Sequence, residues 1–310
     1  MTVLVCGSLA YDTVMVFDGR FRDHILADRI HSLSVAFLVP ALRKNFGGCA
    51  GNIGFNARLL GLDVSLAAAA GDDFSDYAAW LTQHGVNLSH VRVMPGTYTA
   101  QAYITTDIDD NQITAFHPGA MSRAHEITLP LSPPPALAIV APDGRDAMIG
   151  HAAALAAAGV PFIFDPGQGL PMFDGDDLQR FIGQATYLVV NDYEAGLVEQ
   201  RTGLSAQAIA SRLKAYIVTR GAQGSMIYSG DKTIEIPPVK AERVVDPTGC
   251  GDAYRAGLLY GLVHDLPWET TGRIASLLGA LKIAHHGTQN HGVDLAAFRA
   301  RYNAEFGHGF

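Results

Sequence analysis

Only three cysteines, Cys6, Cys49 and Cys250, occur in the 310 residues, and they stand far apart. Such spacing excludes a disulfide framework or a structural zinc site and implies a reducing compartment, with the cytoplasm expected. Long apolar runs are missing too. None approaches the roughly 18 residues of a membrane span, so no membrane association is expected. The N-terminal MTVLVCGSLAYD has no basic segment leading into an apolar stretch. Charge is sparse at 17% of residues and acidic in balance at -8. That balance excludes a general nucleic-acid binder while leaving room for a local basic spot that holds a phosphate compound. The histidines are scattered singly except at His285-His286, whose side chains diverge on a helix, so no histidine metal site is expected. The first strand, VLVCGSLAYD, offers a single glycine in place of a glycine-rich dinucleotide fingerprint, which disfavours a nicotinamide dehydrogenase.

What is present is an alternation. Val3–Cys6, Ala136–Ala141, Phe162–Asp165 and Tyr187–Val190 are short apolar runs bounded by turn signals, the pattern of strands buried on both faces. Between them Ile53–Leu60, Tyr77–His84, Ala147–Ala158 and Asp192–Gln200 carry apolar residues at helical spacing or are alanine-rich. The alternation predicts an α/β fold with a doubly wound, mostly parallel sheet flanked by helices. SPPPA at 132–136 is a rigid connector into a strand. TRGAQGSMIY adds a strand, a turn and a second strand, and helices are predicted over 252–264, 268–286 and 293–305.

Two segments break the alternation. TYTAQAYITT and QITAFH alternate with period two around DIDDN, which predicts a β-hairpin, and DTVMVF and LSVAFLV are expected as further strands. The expected division is a β-sheet lid from 13–39 and 96–117, and an α/β nucleotide-binding and catalytic domain from 1–12, 40–95 and 118–310.

Two glycine-rich stretches could carry chemistry. In VVDPTGCGDAYRAG a helix opens on Gly249, Cys250 and Gly251, small enough for an anion to reach the unpaired amides of the helix start. Asp252 beside that anion either complements the helix dipole or takes a proton from a hydroxyl that attacks a phosphate. From this segment alone the two readings stand level. In NFGGCAGN, Gly47 and Gly48 allow a ligand close to the backbone, and Asn52 sits in the first turn of the following helix.

GGCAGN, NDYEAG at 191–196, TRGAQG at 219–224 and DPTGCGDAYRAGLLYGL at 246–262 together resemble the ordered motifs of the ribokinase-like (PfkB) family of carbohydrate and nucleoside kinases. The match spans nearly the whole chain, and DPTGCGD is its most specific part. The resemblance implies ATP as phosphoryl donor, Asp252 as the base, and Gly249, Cys250 and Gly251 as the anion hole. Cys250 stands where alanine is common and is expected to serve as a small residue. Asn191 and Glu194 match a motif implied to hold Mg²⁺ through water near the phosphates. Thr219, Arg220, Gly221 and Gly224 match the segment beside the ATP phosphates. Some relatives bind a monovalent cation through an aspartate that matches Asp246. A K⁺ site there would draw its second loop from His285–Gln289, and the adenine, with Gly287, falls in the same region.

On the acceptor side the resemblance implies Asp12, with Gly47, Gly48, Asn52 and Ser8. A carboxylate that accepts from two vicinal hydroxyls suits a furanose ring. The lid strands carry Phe37, Leu38, Val39, Tyr103, Ile104 and Phe116, apolar walls that favour a nucleobase over a bare sugar. Adenosine phosphorylated at its 5′-hydroxyl is the expected reaction, with a ribokinase-type sugar kinase as the alternative and a nucleotide-binding regulator without turnover as the non-enzyme one. Monomer and homodimer through the lid both stay open.

Overall fold

The computed structural model describes residues 2–25, 31–32, 34–109 and 111–310. Strands and helices are numbered in chain order. The main sheet has nine strands in the order β13 (Lys232–Ile236), β12 (Ser225–Ser229), β11 (Ala215–Thr219), β10 (Tyr187–Asn191), β9 (Phe162–Phe164), β8 (Leu137–Val140), β1 (Thr2–Cys6), β4 (Asp63–Ala70) and β5 (Asn87–Val93). From β11 to β5 every pairing is parallel, and β12 and β13 are antiparallel at one edge.

Alternation along each strand sends successive side chains to opposite faces, so the core is split in two by the sheet. Val3, Val5, Leu66, Ile139 and Ile217 face one cluster, built with α2 (Cys49–Leu59), α3 (Ser75–Gln83), α8 (Cys250–Val263), α9 (Trp268–Lys282) and α10 (Leu295–Phe306). Leu4, Cys6, Val140, Phe164 and Val190 face the other, built with α4 (Arg145–Ala157), α5 (Gly175–Gln184), α6 (Asp192–Thr202) and α7 (Ala206–Ala210). Apolar strands buried on both faces are what a doubly wound sheet requires, and the sequence-based expectation holds. Strand β4, DVSLAAAA, was not expected. Alanine favours helices, but here Ala67 to Ala70 are buried between the two helical layers, where small side chains fit.

A second sheet has the order β3 (Ala41–Gly47), β2 (Ala10–Val16), β6 (Ala100–Thr106), β7 (Gln112–His117), with β6 and β7 forming the predicted hairpin. One expectation is corrected. Of the run LSVAFLV, Leu33 lies outside the described residues and 34–39 form no strand; the strand beside β2 is the polar ALRKNFG instead. Phe37 is drawn elsewhere, packing at 4.8 Å on Phe17 and 5.1 Å on Phe21, the first residue of the short helix α1 (Phe21–His24). Pro40, which has no N–H to give a ladder, then separates this plug from the strand. Leu38 is 87% exposed. Neither Phe37 nor Leu38 walls a ligand site.

Candidate active site

In an open parallel sheet, ligands sit beyond the carboxyl ends of the strands. Here the residues at or just past the ends of β1, β8, β9, β10 and β11 are Ser8, Asp143, Asp165, Asn191 with Glu194, and Thr219, and all line one cleft of about 1000 Å³. The N-terminal turns of α2 and α8 close one side, and the second sheet covers it. Of that sheet, Ala10, Asp12, Ala102, Ile104, Thr114 and Phe116 line the cleft, alternate positions on three neighbouring strands and therefore one face.

The loop into α8 is shaped by glycine. Gly249 has φ 79°, left-handed backbone that suits glycine, and a Cβ there would come within 2.9 Å of Thr288 Cγ2. The amide of Cys250 donates to Pro247 O at 3.1 Å, which leaves the first-turn amides of Gly251 and Asp252 outside the helix ladder. The Cys250 thiol does not line the cleft, and burial pushes it up to about 11, so it is no nucleophile at neutral pH.

Asp252 does line the cleft. Its Oδ2 accepts from Asn52 Nδ2 at 2.8 Å. Burial raises its carboxyl from the ordinary value to about 6, against the Asn52 hydrogen bond and the nearby Arg255 guanidinium. Asn52 is itself held, because Gln289 Nε2 donates to its Oδ1 at 2.9 Å and to Tyr77 Oη at 2.6 Å. Tyr77 in turn donates to Gly47 O at 2.8 Å, and Trp80 Nε1 donates to Gln289 Oε1 at 3.0 Å.

One turn after Asp252, Arg255 is buried and makes a two-pronged ion pair with Asp165, at 2.5 and 2.7 Å. Its Nη1 also donates to Gly251 O at 3.2 Å. Burial works against the guanidinium charge, and Asp165 more than offsets this, so Arg255 stays charged beneath the turn into α8. Sequence reasoning missed this pair. The signal was an arginine inside the apolar helix DAYRAGLLYGL, which demands a buried carboxylate.

Where the second sheet meets the cleft Asp12 projects from β2, and burial followed by the Asp246 charge raises it to about 6. Gly47 makes room for it: a Cβ there would lie 2.5 Å from Asp12 Oδ2. Gly48, with φ 83°, lies against Ala10 N and Ser8 O. Ser8 Oγ accepts from Cys49 N at 3.2 Å, so the hydroxyl caps the start of α2 and keeps its own proton for a ligand. Asp143 was not foreseen. It is 4% exposed, its Oδ1 accepts from Gly144 N at 2.8 Å, its Oδ2 has no hydrogen-bond partner among the described residues, and burial raises it to about 7.

At the end of β10, Asn191 and Glu194 form a capping box. Asn191 Oδ1 accepts from Glu194 N, and Glu194 Oε2 accepts from Asn191 N, both at 2.8 Å. Burial raises the Glu194 carboxyl. Thr219 and Gly221 line the cleft, whereas Arg220 turns to Glu235 at 2.8 Å and Gly224 packs against Ile236 O. Asp246 and Gly287 are not on the cleft wall. They bond to each other, Gly287 N donating to Asp246 Oδ2 at 2.8 Å, while Asp246 Oδ1 accepts from Thr248 N at 2.9 Å.

The fold and its cleft, with Asp252 beside the glycine-rich turn into α8, are those of an α/β phosphotransferase with an alcohol group as acceptor. A model of the pfkB family carbohydrate kinases matches residues 12–294, and the chain belongs to that family. It is 34% identical to a nucleoside kinase of Methanocaldococcus jannaschii over 256 residues, 82% of this chain and 84% of that one. A solved structure of Burkholderia thailandensis nucleoside kinase in complex with inosine superposes with TM-score 0.90 at 53% identity, over 99% of each chain. The same kinase in complex with ADP-inosine gives TM-score 0.88 at 54% identity, over 99% of this chain and 97% of that one.

Proposed function

We propose that the chain is an ATP-dependent nucleoside kinase that moves the γ-phosphoryl group to the acceptor's 5′-hydroxyl, with adenosine as its first acceptor. The observation that carries this reading is one cleft with two unlike ends. At one end Asp252 stands beside the free amides of the α8 start. At the other, Asp12 is set in a sheet face of Ala102, Ile104 and Phe116 on which Thr114 is the one other polar side chain. A furanose held by Asp12 leaves its base against that face, where a bare sugar would find few polar partners. Asp143, on the wall beside Pro142, is the polar group we assign to the base's edge. A carboxyl near 7 accepts from an exocyclic amine when ionised and donates to a carbonyl oxygen when protonated.

In the reaction Asp252 takes the hydroxyl proton as the oxygen attacks the γ-phosphorus in line, while the bond to the β,γ-bridging oxygen breaks and ADP leaves. The amides of Gly251 and Asp252 hold charge on the phosphoryl oxygens, with Arg255 fixed behind them. Covering the cleft excludes water as a competing acceptor. Among the described residues no group of three His, Cys, Asp or Glu side chains could hold a metal. A carboxylate or two plus phosphate oxygens is the usual Mg²⁺ environment, and Glu194, whose Oε1 accepts no hydrogen bond among the described residues, fits as the group that holds it through water. Mg²⁺ held there would supply neutralisation of the phosphate charge.

The test is a coupled assay with ATP against adenosine, inosine, guanosine, cytidine, ribose and fructose. Purine nucleosides should give kcat/KM about 10-fold or more above either sugar, adenosine first. Faster turnover of ribose or fructose than of every nucleoside would refute the proposal.

A further inference from the structure

Lys282, the last residue of α9, has 0% of its surface exposed, yet it forms no salt bridge among the described residues. Its Nζ donates instead to two main-chain carbonyls, Asp246 O at 2.7 Å and His285 O at 3.3 Å. A buried lysine ordinarily has a carboxylate partner, because desolvating an unpaired charge is costly. Here the carbonyl dipoles of two loops take that part. The Asp246 carboxylate is already engaged by the amides of Thr248 and Gly287.

The two loops are the ones that shape the site. After Asp246 the chain runs through Pro247 and Thr248 into the Gly249–Gly251 turn. After His285 it runs to Thr288, which backs Gly249, and to Gln289, which holds Asn52 on Asp252. The amides of Val245 and Asp246 both donate to Ile283 O, at 2.9 and 3.1 Å, so the loops are also joined beside the ammonium. Convergent main-chain carbonyls are how a protein replaces the hydration shell of a bare monovalent cation. At this place the cation is covalently part of the chain.

We propose that the Lys282 ammonium is the built-in monovalent cation of the anion loop: it clamps the Asp246 and His285 carbonyls together and makes turnover independent of added K⁺ or Na⁺. Lys282 acts as a positioning residue, since it reaches neither phosphate nor acceptor. The inference rests on the kinase reading above.

The full chain is assayed in choline, potassium and ammonium chloride at one ionic strength, with whichever acceptor of the panel turns over fastest. Wild-type kcat should agree across the three salts within about twofold, and activation by K⁺ of about tenfold or more overturns the proposal. Lys282→Ala empties the position. In choline its kcat should fall by about 100-fold, and saturating ammonium or K⁺ should restore about tenfold, a rescue that loss of mere packing would not give. A folded Lys282→Ala that keeps wild-type turnover in choline, or stays inactive in both other salts, overturns it. Should that variant fail to fold, the wild-type salt series decides. If no acceptor in the panel is phosphorylated, the acceptor reading has failed and the cation is read from melting of the ADP-bound wild type. Equal Tm in choline and potassium supports the built-in charge, and a K⁺-specific rise of about 5 °C or more overturns it.

Discussion

Asp252 sits at a balance of opposed influences, burial raising its carboxyl and Asn52 and Arg255 holding it down, with about 6 as the outcome. A base of that strength is ionised at neutral pH and still basic enough to take a proton in the transition state. Asp252→Asn keeps the shape and the Asn52 contact region but cannot take the proton. It should lower kcat by about 10²–10⁴-fold while ADP affinity, measured by titration calorimetry, changes by less than about twofold. With Asp252 as the proposed base the ionised form is the active one, and kcat/KM should fall as pH drops through about 6. Asp12 is also raised to about 6 and also works ionised, so the acid limb should be steeper than one proton gives. A limb of unit slope centred near 4 would remove both assignments.

At the scale of elements, the loop after α9 carries more of the site than its sequence suggests. Gln289→Leu fills the same space but gives Asn52 no donor. It should cut kcat about tenfold with little change in the KM for ATP, as steady-state kinetics would reveal. The apolar runs and DPTGCGD were legible because burial on both faces and a glycine-rich helix start leave direct marks in sequence. Strand β3 was not, since ALRKNFG is polar and largely exposed, and its pairing with β2 is a long-range matter of register. The run 33–39 misled for the converse reason: its hydrophobicity announced burial but not the aromatic plug that receives Phe37. Arg255, Lys282 and Gln289 lay in plain view, yet their roles depend on partners that are far away in the chain, such as Asp165 and Asn52.

For the whole molecule, Asp12, Asp143 and Asp252 are raised to about 6, 7 and 6 from an ordinary 3.8. Between about pH 4 and 7 the folded state therefore binds more protons than the unfolded chain, and the stability these groups contribute is present at low pH and lost as pH rises through that window. The cleft is thus held together at a cost that is largest where the kinase works. Asp143→Asn removes one such charge. It should raise stability by at least about 1 kcal/mol more at pH 8 than at pH 5, as urea melts at the two pH values would show. The contacts around Asp252 also have a direction. Trp80 of α3 gives a hydrogen to the Gln289 oxygen, Gln289 gives one to the Asn52 oxygen, and Asn52 gives one to the carboxylate. An indole N–H can only donate. It therefore sets the polarity of two amides whose ends are otherwise interchangeable, and a tryptophan outside the cleft determines that every dipole in the row points its hydrogen toward Asp252.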